Sequence, residues 1–156
     1  GFRYPGGTRG KVFTPEFYKR DAVVALLEEH KKETGEAKLP QGGYPDMGSG
    51  RFSAALTYGE WYKFNNAQRA HYSGVESFGP ALAGLILGGL IFPRFAAAGG
   101  AAYIVGRELY AAGYAAKGPG GRSAGAILAD LGLLAMLGAA IAAGLPMTGA
   151  LRSFGL

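Results

Sequence analysis

Phe64-Asn65-Asn66-Ala67-Gln68-Arg69-Ala70-His71-Tyr72-Ser73-Gly74-Val75-Glu76 is a polar run that passes, with no turn signal inside it, into an apolar one, Phe78 to Ile91. At helical spacing Asn65, Arg69, Tyr72 or Ser73, and Glu76 fall at i, i+4, i+7 or i+8, and i+11, so they share one face. A continuous helix would carry that stripe into the depth of a membrane, where ionisable side chains are costly and point to a functional site by default. The same spacing is met by a helix that starts in water, with Arg69 and Glu76 neutralising groups on neighbouring helices. Spacing alone does not separate the two.

The apolar part, Phe78 to Ile91, is shorter than the roughly 20 residues a spanning helix needs. Extended backwards through the polar stripe to about Tyr58 it becomes long enough, with a kink expected at Pro80. Pro93-Arg94 breaks the chain, and a second apolar run follows from Phe95 to Ala116. Lys117-Gly118-Pro119-Gly120-Gly121-Arg122 is a tight polar loop. The third run, Ala124 to Leu145, carries one charge, Asp130, and Pro146 is expected to end it. The fold class expected is therefore an all-α membrane protein. Its transmembrane domain, 58–146, holds three helices at about 58–92, 95–116 and 123–145, and 147–156 is a short tail with Arg152. Gly84 and Gly88 form a GxxxG, and Ala96 and Gly100 repeat the small-residue spacing, which favours close helix packing. Three spans place the N-terminal region and the 117–122 loop on one side. The positive-inside bias of Lys117 and Arg122 makes that side cytoplasm, matrix or stroma.

Residues 1–57 read as a soluble extension. Residues 1–13 mix Gly, Pro, Arg and aromatics without a period and predict an extended arm. Thr14-Pro15-Glu16 is a helix start, and Lys31, Lys32 and Gly35 suit its end, so a surface helix is expected over 15–34. Residues 35–53, rich in Gly and Pro, predict a loop. So few apolar residues cannot bury a core of their own, and contacts with other subunits are expected to hold the region. The chain opens on Gly1 rather than Met, so a preceding segment, a targeting peptide included, is expected to have been removed or left out.

Length fits one domain, and the mean hydropathy of +0.10 averages two unlike halves. The net charge of +5 is spread over mixed signs with no Lys/Arg block, so no nucleic-acid partner is expected. With no cysteine there is no disulfide, thiolate metal site or Cys nucleophile, and no metal site is expected.

A second stripe, Tyr103, Arg107, Tyr110 and Tyr114, falls at i, i+4, i+7 and i+11, with Glu108 just off it. Hydroxyls and a guanidinium in a membrane helix need partners. One reading closes the two stripes on each other, Arg107 with Glu76 or Arg69 with Glu108. The other is a pocket for an anionic ligand faced by Arg69, Arg107 and Arg122, with Glu76 holding an ammonium.

The stretch 64–76 resembles the FNCxQRAHxNxLE signature of the MAPEG superfamily of membrane glutathione transferases, in pattern nearest the branch of microsomal glutathione transferase 3. The resemblance continues through Tyr103-Ile104-Val105-Gly106-Arg107-Glu108-Leu109-Tyr110-Ala111-Ala112-Gly113-Tyr114, Gly118-Pro119 and Arg122-Ser123, and covers about 64–145. It implies a homotrimer of four-helix protomers with glutathione between them. By position, Arg69, Ser73, Glu76, Arg107, Tyr110 and Tyr114 would bind glutathione, and Arg122 would be the catalytic arginine that holds its thiolate. A guanidinium beside a thiol favours the charged form. Ser73 stands where the family has Asn, and Ser77 where some relatives have Tyr. The family's first transmembrane helix is missing; a charged surface helix and a loop stand in its place.

Two functions follow from the resemblance. The first is a non-catalytic, MAPEG-derived accessory subunit of a larger respiratory or photosynthetic complex in the mitochondrial inner or thylakoid membrane, with its N-terminus in matrix or stroma. Its partners would be the lipid bilayer and other membrane subunits, against the extension and the helix flank left by the missing helix. The second is a glutathione-dependent transferase or peroxidase of the endoplasmic reticulum membrane, acting as a homotrimer on lipophilic electrophiles or lipid hydroperoxides. Glutathione is the cofactor only under the second.

Overall fold

The computed structural model describes residues 3–37, 43–44 and 46–153. Among them there is no strand. The helices are α1 (Arg3–Val12), α2 (Asp21–Thr34), α3 (Arg51–Ala54), α4 (Tyr58–Ile91), α5 (Pro93–Lys117) and α6 (Ser123–Ser153), with short 3-10 turns at Phe17–Lys19 and Gly118–Arg122. Two compact units divide the chain between His71 and Tyr72.

The N-terminal unit corrects several expectations. The expected extended arm is helical, as α1. Its Gly and Pro content disfavours a helix, but Arg9, Val12 and Phe13 fall at i, i+3 and i+4 and are all buried, and that burial outweighs propensity. The helix expected from Pro15 starts only at Asp21. Thr14 Oγ1 instead accepts a bond from the Phe17 amide, at 3.3 Å, at the start of a single 3-10 turn. Arg20 is extended, and its guanidinium reaches Glu60 in two bonds of 2.8 and 3.0 Å and the Ala55 carbonyl at 3.0 Å. At the far end Gly35 takes the left-handed conformation (φ 76°) and returns its N–H to Lys31, as the sequence predicts. Of the expected 35–53 loop, 38–42 and 45 lie outside the described residues, and the one-turn α3 begins inside its end.

This unit also buries a core, which residues 1–53 were not expected to do on their own. Val12, Phe13, Phe17 and Val23 pack with Leu56 and Phe64. The Phe13 ring sits edge-on between Phe17 and Phe64, 5.2 Å from each. The missing apolar mass comes from beyond residue 53, above all from Phe64 on α4. Buried Arg9 lies 4.0 Å over the Tyr44 ring and 4.8 Å over Phe64, so its charge is held against aromatic faces.

α4 starts with a capping box. The Glu60 carboxylate accepts from the Thr57 amide at 2.8 Å, and Thr57 Oγ1 accepts from the Glu60 amide at 3.4 Å. The helix continues through Pro80 to Ile91, where a break was not expected but a kink was. Pro93 opens α5 at a position that needs no N–H, and Gly118 closes it. α6 runs past Pro146 to Ser153, so the expected stop at Pro146 is corrected; the end of the expected tail, 154–156, lies outside the described residues.

The second unit holds the rest of α4 with α5 and α6. Its interior is mostly small residues, Ala81, Ala96, Ala111, Ala129, Ala139 and Ala143, filled in by Met136, with Tyr110 and Tyr114 also buried. Gly99 faces Gly132, Gly106 faces Ala129, Gly125 faces Tyr110, and Gly113 faces Gly121, each so closely that a Cβ would run into backbone. Gly84 and Gly88 also pack closely on Met136 and Ala139, where a Cβ would be tight against backbone and, at Gly88, would strike the Ala139 methyl. The large apolar residues lie outside: Leu90, Ile104, Ile127, Leu134 and Ile141 are all more than 60 % exposed. A bundle in water would invert that arrangement; hydrocarbon favours it. Two stretches are long and apolar enough to cross a membrane, Tyr58–Ile91 and Pro93–Leu145, the second comprising α5, the 3-10 turn and α6 as far as Leu145.

Candidate functional site

The polar stripe of α4 divides between the units, and its two parts do different work. In the N-terminal unit, the indole of Trp61 donates to the Gly48 carbonyl at 3.0 Å and Asn65 to the same oxygen at 3.5 Å. Gln68, almost fully buried, donates to the Met47 carbonyl at 3.2 Å. The first half of the motif therefore holds the 46–50 segment. Asp46 organises that segment: its carboxylate accepts from the amides of Gly48, Gly50 and Ser53 and from the Ser53 hydroxyl. Burial pushes its carboxyl up. The bond from the Ser53 hydroxyl and those from the three amides outweigh burial and leave it below the usual Asp range. Arg69, on the same helix in this unit, is exposed.

In the second unit the stripes of α4 and α5 meet through the serine hydroxyls of α4. Ser77 Oγ shares a 2.7 Å hydrogen bond with the Tyr103 hydroxyl and lies 3.1 Å from the Ser73 carbonyl, within hydrogen-bond distance of it. One turn away, Arg107 Nη1 donates to Ser73 Oγ at 3.3 Å. The expected Arg107–Glu76 pair is not formed, and Glu76 is exposed. The reason is positional: Ser73 and Ser77 at i and i+4 face Arg107 and Tyr103, and Glu76 falls to one side. Arg107 Nε is buried without a hydrogen-bond partner.

Along α5 the guanidinium of Arg107 lies 4.4 Å over Tyr110, Tyr110 lies 5.7 Å from Tyr114, and Arg122 lies 5.6 Å over Tyr114. Both tyrosines are buried, and Arg122 is exposed. Of the candidate residues, Ser73, Arg107, Tyr110, Tyr114 and Arg122 thus form one connected run, whereas Glu76 has no part in these contacts. A cation at each end of two neighbouring, tilted rings can hold an anion, and Glu76 offers a carboxylate to an ammonium. Among the described residues no cluster of His, Asp or Glu could hold a metal ion.

Sequence reasoning missed the roles of Gln68 and Asp46. Gln68 carries no period signal, since it lies off the stripe. Asp46 had one: an Asp two residues before a glycine and seven before a serine is a turn-forming acceptor.

Residues 31–142 match the model of the MAPEG family. No solved structure matches the chain.

Proposed function

This chain belongs to the MAPEG family, whose members are membrane proteins, and from that premise we propose that it is a non-catalytic integral membrane subunit of a larger energy-converting complex. In this reading α4, α5 and α6 each cross the bilayer. The N-terminal unit replaces a first membrane helix of the kind found in the microsomal glutathione transferase 3 branch. The complex is respiratory or photosynthetic, in the mitochondrial inner or thylakoid membrane.

The observation that carries the reading is the closure of the stripes at Ser73 and Ser77. Glutathione would need hydrogen-bond donors and acceptors that face it. Here the Ser73 hydroxyl already accepts from Arg107, and Ser77 is tied to Tyr103. Glu76, Arg69 and Arg122 remain exposed, so the residues present fit the tripeptide in part only. Bound glutathione would supply a thiol nucleophile. This chain would supply Arg122 to hold the thiolate and the ring faces of Tyr110 and Tyr114 beside it.

The second reading, a glutathione transferase or peroxidase, is favoured by one feature: the ladder Arg107, Tyr110, Tyr114, Arg122 ends on an exposed guanidinium. Titrating the purified protein with millimolar glutathione separates the two. Under the subunit reading no ultraviolet thiolate signal develops, and Arg122→Ala leaves the spectrum unchanged. A stoichiometric thiolate signal that Arg122→Ala abolishes overturns the subunit reading and establishes the transferase site.

A further inference from the structure

Asp130 sits seven residues into α6, roughly 10 Å along the helix from Ser123. It is exposed, and among the described residues it has no hydrogen-bond or ion-pair partner. Its surroundings are apolar: Ile127, Leu131 and Leu134 share its face and are each at least 60 % exposed. Further along, Gly138 opens a notch in which a Cβ would meet nothing within 4 Å, and exposed Ala142 follows at the small-xxx-small spacing. Ionised groups within membrane helices face protein or water rather than lipid, because hydrocarbon offers nothing to solvate them. An apolar ridge alone is satisfied by lipid. A ridge with a carboxylate in it is not.

Among the described residues the chain itself offers no cation for this place. Ala129, next to Asp130, packs on Gly106, so the basic residue nearest in depth is Arg107. Arg107 is turned to Ser73 and the Tyr110 ring. A second copy fails for the same reason. In a ring about the membrane normal each residue keeps its depth, so a neighbouring copy again presents only Arg107 at this level. A two-fold pairing of the ridge on itself would bring one Asp130 towards the other, a repulsive arrangement at low dielectric.

The geometry points to the Ile127–Ala142 ridge of α6 as the docking site for a transmembrane helix of a different protein, one that carries an arginine or lysine within its apolar span to meet Asp130. This rests on the subunit reading above and names the chemistry of the partner. The helices would approach most closely at Gly138, eight residues or about 12 Å from the ion pair. The basic residue is therefore expected about two turns from the partner's own small-residue contact.

The test uses the native membranes. Wild type and Asp130→Asn, Asp130→Leu and Asp130→Glu are solubilised in mild detergent and followed by native electrophoresis. Photo-crosslinkers are placed at Leu131 and Leu134, with Ile104 on α5 as the control. Wild type and Asp130→Glu should run with a larger complex, and Asp130→Leu and Asp130→Asn should lose at least tenfold of that fraction. Circular dichroism and monodispersity confirm that the bundle is intact. The crosslinked peptide should come from another protein and contain a basic residue inside an apolar stretch. If wild type itself runs free of any complex, the subunit reading falls, and this proposal with it. If wild type is in a complex and Asp130→Leu remains there undiminished, the docking site is wrong and the subunit reading stands. Crosslinks to lipid only, or to a second copy of this chain, also overturn the docking site.

Discussion

The Tyr103 hydroxyl on α5 and the Ser77 hydroxyl on α4 lie 2.7 Å apart, and Ser77 Oγ also lies within hydrogen-bond distance of the Ser73 carbonyl, at 3.1 Å. This contact ties two helices together with no net charge. Removing one neutral partner costs about 0.5–1.5 kcal/mol. Tyr103→Phe and Ser77→Ala should each lower stability by that amount in detergent unfolding. The double variant should cost less than the sum, because the second change removes a partner already lost. Strict additivity would mean that the contact contributes nothing.

The α5–α6 seam should tolerate no methyl group. At Gly106 and Gly125 a Cβ would strike the backbone of the facing helix, which cannot rotate away. Overpacking of this kind costs about 1–3 kcal/mol or more. Gly79, where a Cβ would meet nothing within 4 Å, is the control. Gly106→Ala and Gly125→Ala should show a clear loss of thermal stability, and Gly79→Ala should stay within about 1 kcal/mol of wild type. Equal behaviour of all three would refute the seam.

Acid should loosen the N-terminal unit through Asp46. Its carboxyl lies below the ordinary Asp value of about 3.9, so it stabilises the fold fully above that value. The contribution is lost as pH falls through the lower, folded value. Near-ultraviolet signals from Trp61, whose indole bonds Gly48, should therefore change below about pH 4. In Asp46→Asn that transition should be absent and the starting stability lower. An unchanged acid transition in Asp46→Asn would assign it to another group.

Arg20 should not be replaceable by lysine. Its fork makes two bonds to Glu60 and one to the Ala55 carbonyl. Both side chains are about one-third exposed, 35 % and 32 %, so solvent screens the pair. Arg20→Lys should cost about 0.5–1 kcal/mol in urea unfolding, because an ammonium cannot serve three acceptors in that plane. A variant as stable as wild type would show that the pair is dispensable.

Three membrane crossings require that residues 1–50 and a tag at Gly120 be reached from one face. Protease and labelling of sealed vesicles should reach both together. Access from opposite faces would remove one crossing.

The apolar runs and their breaks were legible because Pro93 and Gly118 act locally, through a missing N–H and a positive φ of 68°. Pro146 misled because a helix can continue past a proline when its neighbours compensate. α1 was not legible: its glycines argue against a helix, and only burial of Arg9, Val12 and Phe13 makes it form. In the candidate site, spacing found the two stripes but paired charge with charge. The contact that forms uses Ser73 and Ser77, whose one-turn separation matches that of Arg107 and Tyr103. The pattern was in the sequence, and the choice of Glu76 as partner was not forced by it.

The place of Phe64 in the N-terminal core has a consequence for the order of folding. Phe13 and Phe17 leave the ribosome well before Phe64, and Arg20 is 40 residues ahead of Glu60. The earliest part of the chain must therefore stay open until the start of α4 has been made. The α5–α6 hairpin faces no such delay, since only the five residues Gly118–Arg122 separate its helices and loop closure over so short a span is fast. Synthesis begins with the N-terminal unit, yet that unit has to wait for a later segment, whereas the last two helices can pair as soon as they emerge. A chain cut at residue 57 would carry α1, α2 and α3 without the ring that closes them.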